Sequence, residues 1–422
     1  STVKKRHKQQ VIEKRSDNRK DMNMSLNQTP RSDRIHIALF GKRNAGKSSV
    51  VNALTNQELA IVSEIKGTTT DPVYKSMELL PLGPVVMIDT PGLDDEGELG
   101  EKRVKKAKEV LSKADIALVI VDAKQGITSF EEDIIDLMEK RKIPYLKVYN
   151  KVDLFQGQET EPDVHYVSAL TGEGIHELKE AIGKLAPAEK EDLKIVGDLV
   201  SPLDLVVLVV PIDSAAPKGR LILPQQQTIR DLLESGAASV VVRDSELAGV
   251  LEKLGTKPAL VVTDSQAFEQ VARDVPEDIP LTSFSILFAR YKGDLEEEIR
   301  GIRALKDLKD GDKILIAEGC THHRQCDDIG TVKIPNWLRQ YTGKEFEIHT
   351  SSGNGFPDDL EMYQLIIHCG GCMLNRREMK SRIQRAVEAG VPIVNYGVLI
   401  ACIKGILNRS LEPFPEALKI LE

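Results

Sequence analysis

Arg34-Ile-His-Ile-Ala-Leu-Phe40 runs directly into Gly41-Lys42-Arg43-Asn44-Ala45-Gly46-Lys47-Ser48, and this junction decides the fold of the N-terminal part of the chain. The apolar segment reads as a buried strand, and Ser49 to Thr55 reads as a helix. The loop between them fits the pattern G-x-x-x-x-G-K-S/T in the strand–loop–helix setting that gives the pattern meaning. Gly41 and Gly46, with Ala45 between them, let backbone N–H groups close around phosphate oxygens. Lys47 reaches the β and γ phosphates, Ser48 offers a hydroxyl to Mg²⁺, and Ser49 opens the helix whose N-terminus favours anions.

Working outward, three further stretches follow in the order a nucleotide switch requires. Val85-Val-Met-Ile-Asp89-Thr-Pro-Gly92 is an apolar strand ending in an acid for the Mg²⁺ shell and a glycine N–H for the γ-phosphate. Before it, Gly67-Thr68-Thr69-Thr70-Asp71 supplies a switch threonine, Thr70, as a second Mg²⁺ ligand. The strand Tyr145 to Tyr149 leads into Asn150-Lys151-Val152-Asp153. A carboxylate at Asp153 accepts from both N1–H and the exocyclic amine of guanine, a donor pair that adenine lacks. Val164 to Val167 then leads into Ser168-Ala169-Leu170, the loop expected to touch the base. The residues therefore predict a domain that binds GTP and GDP with Mg²⁺, with Lys47, Ser48, Thr70, Asp89 and Gly92 as its catalytic set.

From about Arg34 to Leu185 these motifs resemble the TrmE/Era group of GTPases. The resemblance implies a Ras-like P-loop domain with slow GTP hydrolysis, since Leu93 stands where Ras-like proteins carry a water-orienting Gln. It also implies that Asn44 coordinates K⁺ beside the β and γ phosphates, so that K⁺ stimulates turnover more than Na⁺. A loop-stabilising Asn44 is the simpler alternative.

At 422 residues the chain exceeds what one hydrophobic core usually supports. The net charge of -8 is uneven, because the first 34 residues carry ten Lys/Arg and four Asp/Glu. An acidic body with 4% aromatic residues argues against a nucleic-acid partner, and the basic start reads as a solvated, flexible segment over 1–33. The longest apolar run, Leu203 to Ile212, is too short for a membrane span and carries Asp204. With no signal-peptide pattern, a cytoplasmic location is expected. Five cysteines in such a compartment do not suggest a disulfide framework.

Beyond a GTPase domain over 34–186, Ala186 to Asp192 reads as a charged, proline-containing linker. Residues 193–275 then read as a small α/β unit, with strands near Leu205 to Val210, Ser239 to Val242 and Ala259 to Thr263. Its modest core makes pairing with a second copy or a spacer role the two readings. Residues 276–422 alternate strands and helices, which favours a parallel sheet. Here Pro280 to Ala289, Ile314 to Ala317, Phe346 to His349, Leu365 to Ile367 and Pro392 to Asn395 are the expected strands. The fold class expected is α/β in three domains: a Ras-like GTPase domain, a dimerisation domain and a cluster-binding domain with a mainly parallel sheet.

Two of the expected strands end in soft ligands. Cys320-Thr321-His322 follows one, and His368-Cys369-Gly370-Gly371-Cys372 follows the other. Ligands in open α/β sheets bind outside the carboxyl ends of strands, so residues distant in sequence can meet there. A structural zinc site with three thiolates and an imidazole is one identity. An iron–sulfur cluster, which normally takes four thiolates, is the other and would leave one iron open. Cys326 and Cys402 remain, the latter expected as a buried thiol.

Cys-x-His, 45 intervening residues and His-Cys-x-x-Cys, downstream of such a GTPase, resemble the HydF family of [FeFe]-hydrogenase maturation GTPases. The resemblance implies a [4Fe–4S] cluster on Cys320, Cys369 and Cys372, with His322 and His368 as ligands or as neighbours of the ligands. It further implies a homodimer through the middle domain and a di-iron subcluster precursor as cargo. The radical-SAM maturases HydE and HydG and the apo-[FeFe]-hydrogenase are the implied partners. A TrmE/Era-type RNA-modification or ribosome-assembly GTPase with structural zinc is the competing reading.

Overall fold

The computed structural model describes residues 30–55, 72–79, 82–90, 100–154, 163–185, 193–212, 221–319, 328–353 and 355–421. Thr70, Gly92, Leu93, Cys320, His322, Cys326, residues 1–29 and the linker 186–192 lie outside them.

The first sheet has the order β2-β3-β1-β4-β5-β6. It comprises β1 (Ile35–Phe40), β2 (Val73–Leu79), β3 (Gly83–Asp89), β4 (Ile116–Asp122), β5 (Tyr145–Asn150) and β6 (Val164–Val167). Only β2, which the apolar patterning did not single out, runs antiparallel. Its alternating exposure marks an edge strand with one wet face. The central β1, β3 and β4 are apolar and almost wholly buried. Both faces are covered, so they read as continuous apolar runs. The helices are α1 (Lys47–Thr55), α2 (Gly100–Leu111), α3 (Ser129–Lys140) and α4 (Ile175–Leu185). Separate apolar clusters fill the two sides of the sheet. This is the doubly wound P-loop arrangement, with the nucleotide motifs at the carboxyl ends of its parallel strands.

The second sheet is wholly parallel, in the order β10-β9-β7-β8. Its strands are β7 (Leu205–Val209), β8 (Ala238–Val242), β9 (Leu260–Thr263) and β10 (Leu281–Ser283). Between them run α5 (Leu223–Glu234), α6 (Leu247–Lys253) and α7 (Phe268–Asp274). Two expectations are corrected here. The boundary at 275/276 cuts this sheet, because β10 pairs with β9. The run Pro280 to Ala289 is a strand only as far as Ser283, where the Ser283 hydroxyl accepts the Ile286 N–H at 3.2 Å and caps α8 (Phe284–Lys292). A short apolar run buried on all sides carries no period that separates strand from helix.

The third sheet, β12-β11-β13-β14, is also parallel. It consists of β11 (Lys313–Glu318), β12 (Glu347–Ser352), β13 (Leu365–His368) and β14 (Ile393–Asn395). Its helices are α9 (Leu295–Ile302), α10 (Ile334–Thr342), α11 (Arg376–Glu388) and α12 (Tyr396–Ile403), followed by α13 (Leu407–Leu411) and α14 (Pro415–Leu421). One apolar cluster runs from Val206 and Val262 through Phe288 to Ile316 and Val394, so the second and third units share a core. Burying α8 between two sheets removes more apolar surface from water than either unit could alone.

Candidate functional site

The nucleotide motifs converge. Ser48 Oγ donates to Asp89 Oδ2 at 3.0 Å, so two groups expected in the Mg²⁺ shell already face each other. Lys47 Nζ donates to the carbonyls of Gly41 at 2.6 Å and Lys42 at 2.9 Å, closing over the loop where phosphates would sit. Gly46 has φ +91°, and a Cβ there would meet Asn150 Nδ2 at 2.2 Å. The same Asn150 donates to the Ala45 carbonyl at 3.0 Å, while its Oδ1 accepts the Ala169 N–H at 3.0 Å. One buried amide thus ties the phosphate loop to the base loop. Asn44 is exposed with φ 65°, a conformation that Asn tolerates better than most residues.

The base end is prearranged in the same way. Ser168 Oγ donates to Asp153 Oδ1 at 2.6 Å, orienting an exposed carboxylate. Lys151, at φ 68°, pairs with Asp122 at 2.7 Å. Burial opposes ionisation of Asp122, yet the Lys151 ammonium and the Lys124 N–H hold it below the usual carboxylate range. Leu170 is 86% exposed, an apolar side chain on the rim where a base would lie.

Gly319 and Cys369 directly follow neighbouring strands. β11 and β13 pair in register with Ala317 opposite His368. The Cys369 N–H donates to the Ala317 carbonyl at 3.1 Å, and the Gly319 N–H donates to Cys369 Sγ at 3.0 Å. Sheet register thus brings Gly319, the residue before the first motif in sequence, onto the second. Gly371 turns the loop with φ +58°, and a Cβ there would meet Met379 Sδ at 2.5 Å. Burial pushes the Cys369 thiol up, against the N–H groups of Gly319 and Gly371. It pushes the Cys372 thiol up as well, with the neighbouring Cys369 adding to the effect and Lys292 opposing it. Cys402 is a free, part-buried thiol 4.0 Å from the Tyr341 hydroxyl.

His368 does not face the thiols with a spare nitrogen. Its Nδ1 lies 2.8 Å from the Cys369 carbonyl, which only accepts, so Nδ1 carries the proton. Its Nε2 lies 3.1 Å from Glu298 Oε1. Both ring nitrogens are therefore engaged, and His368 braces the loop. Sequence reasoning missed Glu298, a fully buried carboxyl that burial pushes up. It also missed Lys292, 1% exposed, whose Nζ donates to the carbonyls of Cys372 at 3.3 Å and Leu374 at 3.1 Å and to Ser32 Oγ at 3.1 Å. Burial holds that ammonium below the usual lysine range. Nothing in a single sequence marks either residue: Glu298 ends a run of three glutamates, and Lys292 closes an apolar stretch.

Among the described residues, no three His, Cys, Asp or Glu side chains gather as for a metal ion. Two thiols on a tight turn, with N–H donors aimed at sulfur, nonetheless suit a thiolate-bound cluster. Among the same residues, no helix is long and apolar enough to cross a membrane.

Residues 36–151 match the family model described as a 50S ribosome-binding GTPase. Residues 195–293 match the hydrogen maturase F dimerization domain, and 296–413 its tetramerization domain. The tRNA modification GTPase MnmE of Nitrosomonas europaea is 35% identical over 158 residues, 36% of this chain and 35% of that protein. GTPase Der of Kosmotoga olearia is 33% identical over 191 residues, 40% of this chain and 42% of that protein. The chain thus spans well under half the length of these curated relatives. A solved structure of Era in complex with MgGDPNP and a 16S ribosomal RNA segment aligns with a TM-score of 0.31 and 22% identity, covering 49% of this chain and 91% of that one.

Fold and site together define a P-loop GTPase domain joined to two parallel α/β domains. The two domain models that follow the GTPase match are specific to one family, and the chain belongs to it: the hydrogen maturase F family.

Proposed function

We propose that this chain is a GTP-binding and GTP-hydrolysing scaffold that holds a [4Fe–4S] cluster on Cys320, Cys369 and Cys372. In this reading it carries a di-iron subcluster precursor, receives it with HydE and HydG, and delivers it to apo-[FeFe]-hydrogenase. The observation that supports the reading is the 3.0 Å contact between the Gly319 N–H and Cys369 Sγ. When bound, the cluster supplies an iron position not taken by a thiolate. The chain's own residues desolvate the thiolates, direct N–H groups at sulfur and brace the loop through Lys292 and His368. Assembly through residues 195–293 is supported by β8, an edge strand of its sheet with Val241 44% exposed. Anaerobic reconstitution with iron and sulfide tests the reading. A charge-transfer absorption band and a reduced-cluster EPR signal are expected, whereas a colourless protein holding stoichiometric zinc would overturn it.

Nucleotide state has a route to the cysteine loop. α2 follows the segment after Asp89-Thr90, and just beyond it the Lys113 carbonyl accepts from buried Asn375 Nδ2 at 2.7 Å. Asn375 also caps α11, its Oδ1 accepting the Glu378 N–H at 2.9 Å, three residues after Cys372. Asn375→Asp keeps the cap but loses the donor to Lys113. It is expected to abolish any difference between GTP-loaded and GDP-loaded protein in the cluster's EPR signal, at a stability cost of about 1–3 kcal/mol for the buried carbonyl left unmatched. An unaltered nucleotide response in this variant would remove the route.

Potassium at Asn44 belongs to the same proposal. Turnover in KCl is expected to exceed that in NaCl, and Asn44→Ala is expected to level the two. Equal wild-type rates would leave Asn44 a backbone-conformation residue.

A further inference from the structure

We propose that the cleft between the GTPase domain and α11 binds a multivalent oxyanion of the phosphate or pyrophosphate type. The cleft has a volume of about 660 Å³. One wall is the end of α3 and the turn after it, bringing Lys140, Arg141 and Lys142. The opposite wall is α11, bringing Arg377, Lys380 and Arg385. A chain with a net charge of -8 here gathers seven cationic side chains, these six and Arg376, from two domains onto one concavity. Like charges brought together cost energy unless a counter-charge sits among them.

The acids at this cleft are fewer than its cations: Asp115 and Glu388 line it, opposing the burial-driven lowering of the Arg377 and Arg141 pKa values, and Asp358 pairs with Arg385 at 3.2 Å. Asp115 Oδ2 accepts the His36 N–H at 2.8 Å, and Glu388 Oε1 accepts from Gln384 Nε2 at 3.0 Å. Burial, then the nearby Arg385, hold the Arg141 guanidinium below its usual range, and burial does the same to Arg377. Arg376 Nε, on the same wall, is buried with no hydrogen-bond partner among the described residues. Arg141 and Arg377 spend single N–H groups on the carbonyls of Lys108 at 2.9 Å and Arg141 at 3.5 Å, a small part of what a guanidinium can donate. The N-terminus of α11, a 13-residue helix, adds its partial positive charge at the same end.

The lining also narrows the ligand. It contains no aromatic ring, so nothing there stacks on a nucleobase, and its apolar atoms come from Leu111, Ile143 and aliphatic stems. Arginine forks suit planar or tetrahedral oxyanions in bidentate geometry. Neither Lys47 nor Ser48 is part of it, so the cleft is distinct from the phosphate loop. An anion held there touches both walls and fastens the GTPase domain to the domain carrying Cys369 and Cys372.

Calorimetric titration of pyrophosphate into GDP-saturated protein tests this, with Mg²⁺ in excess and ionic strength held constant so that the phosphate loop is filled. Saturable binding is expected, stronger for pyrophosphate than for phosphate. Arg377→Glu with Lys380→Glu should weaken it by about tenfold or more, with GDP affinity unchanged. Should the double variant fail to fold, Lys380→Glu alone, at an exposed position on α11, gives the same comparison. Absence of saturable heat in the wild type, or undiminished binding in a folded charge-reversal variant, overturns the proposal.

Discussion

Asp153→Asn is expected to lower GTP affinity by about three orders of magnitude and to admit xanthosine triphosphate in its place. The ring of that nucleotide carries a carbonyl where guanine has its amine, so an amide donor replaces the carboxylate acceptor. The size of the effect follows from what surrounds the residue. Ser168 Oγ already donates to Asp153 Oδ1 at 2.6 Å, and Asn150 binds both the base loop and the phosphate loop. The site is therefore built before ligand arrives, and two charge-assisted hydrogen bonds disappear without rearrangement to replace them. Fluorescent-nucleotide titration with both triphosphates measures it. Unchanged GTP affinity in the variant would mean that Asp153 does not read the base.

Cys369→Ala is expected to remove the iron–sulfur signal entirely while leaving GTP hydrolysis within about twofold of the wild type. Its sulfur is the one that accepts the Gly319 N–H, so it sits at the junction of the two strands and not at the rim of the loop. Alanine leaves the β13 backbone and its bond to the Ala317 carbonyl intact, which keeps the fold out of the result. Separation of the two activities follows from distinct sheets: the nucleotide motifs lie at the first, Cys369 directly after a strand of the third. Iron and sulfide analysis beside a phosphate-release assay reads both. Loss of hydrolysis together with iron would require the GTPase domain to depend on the cluster for its own structure.

Much of the nucleotide site was legible because its chemistry is local. Gly41 to Ser48 and Asn150 to Asp153 are short, ordered runs whose spacing alone specifies a loop and a carboxylate. The alternating burial of β2, by contrast, was passed over, since Val73-Tyr-Lys-Ser-Met-Glu-Leu79 is too polar to stand out as a buried strand. α8 was misread because Phe284 to Ala289 is apolar on every side once packed between two sheets. The domain boundary failed with it: β10 belongs to the sheet before it and not to the domain after it.

By itself the sequence determined a P-loop GTPase domain and two further α/β units, with thiols beyond two apolar runs. Tertiary structure alone decided that β11 and β13 are neighbours, which places Gly319 on the Cys369 sulfur, and that His368 turns inward to Glu298. It alone decided that Lys292 gathers Ser32 with the cysteine loop, that Asn375 reaches Lys113, and that α11 faces Lys140 to Lys142. The physical reason is range. Spacing within a loop or strand encodes contacts made by residues a few positions apart, whereas contacts between distant segments follow from which faces the sheets and helices bury against one another.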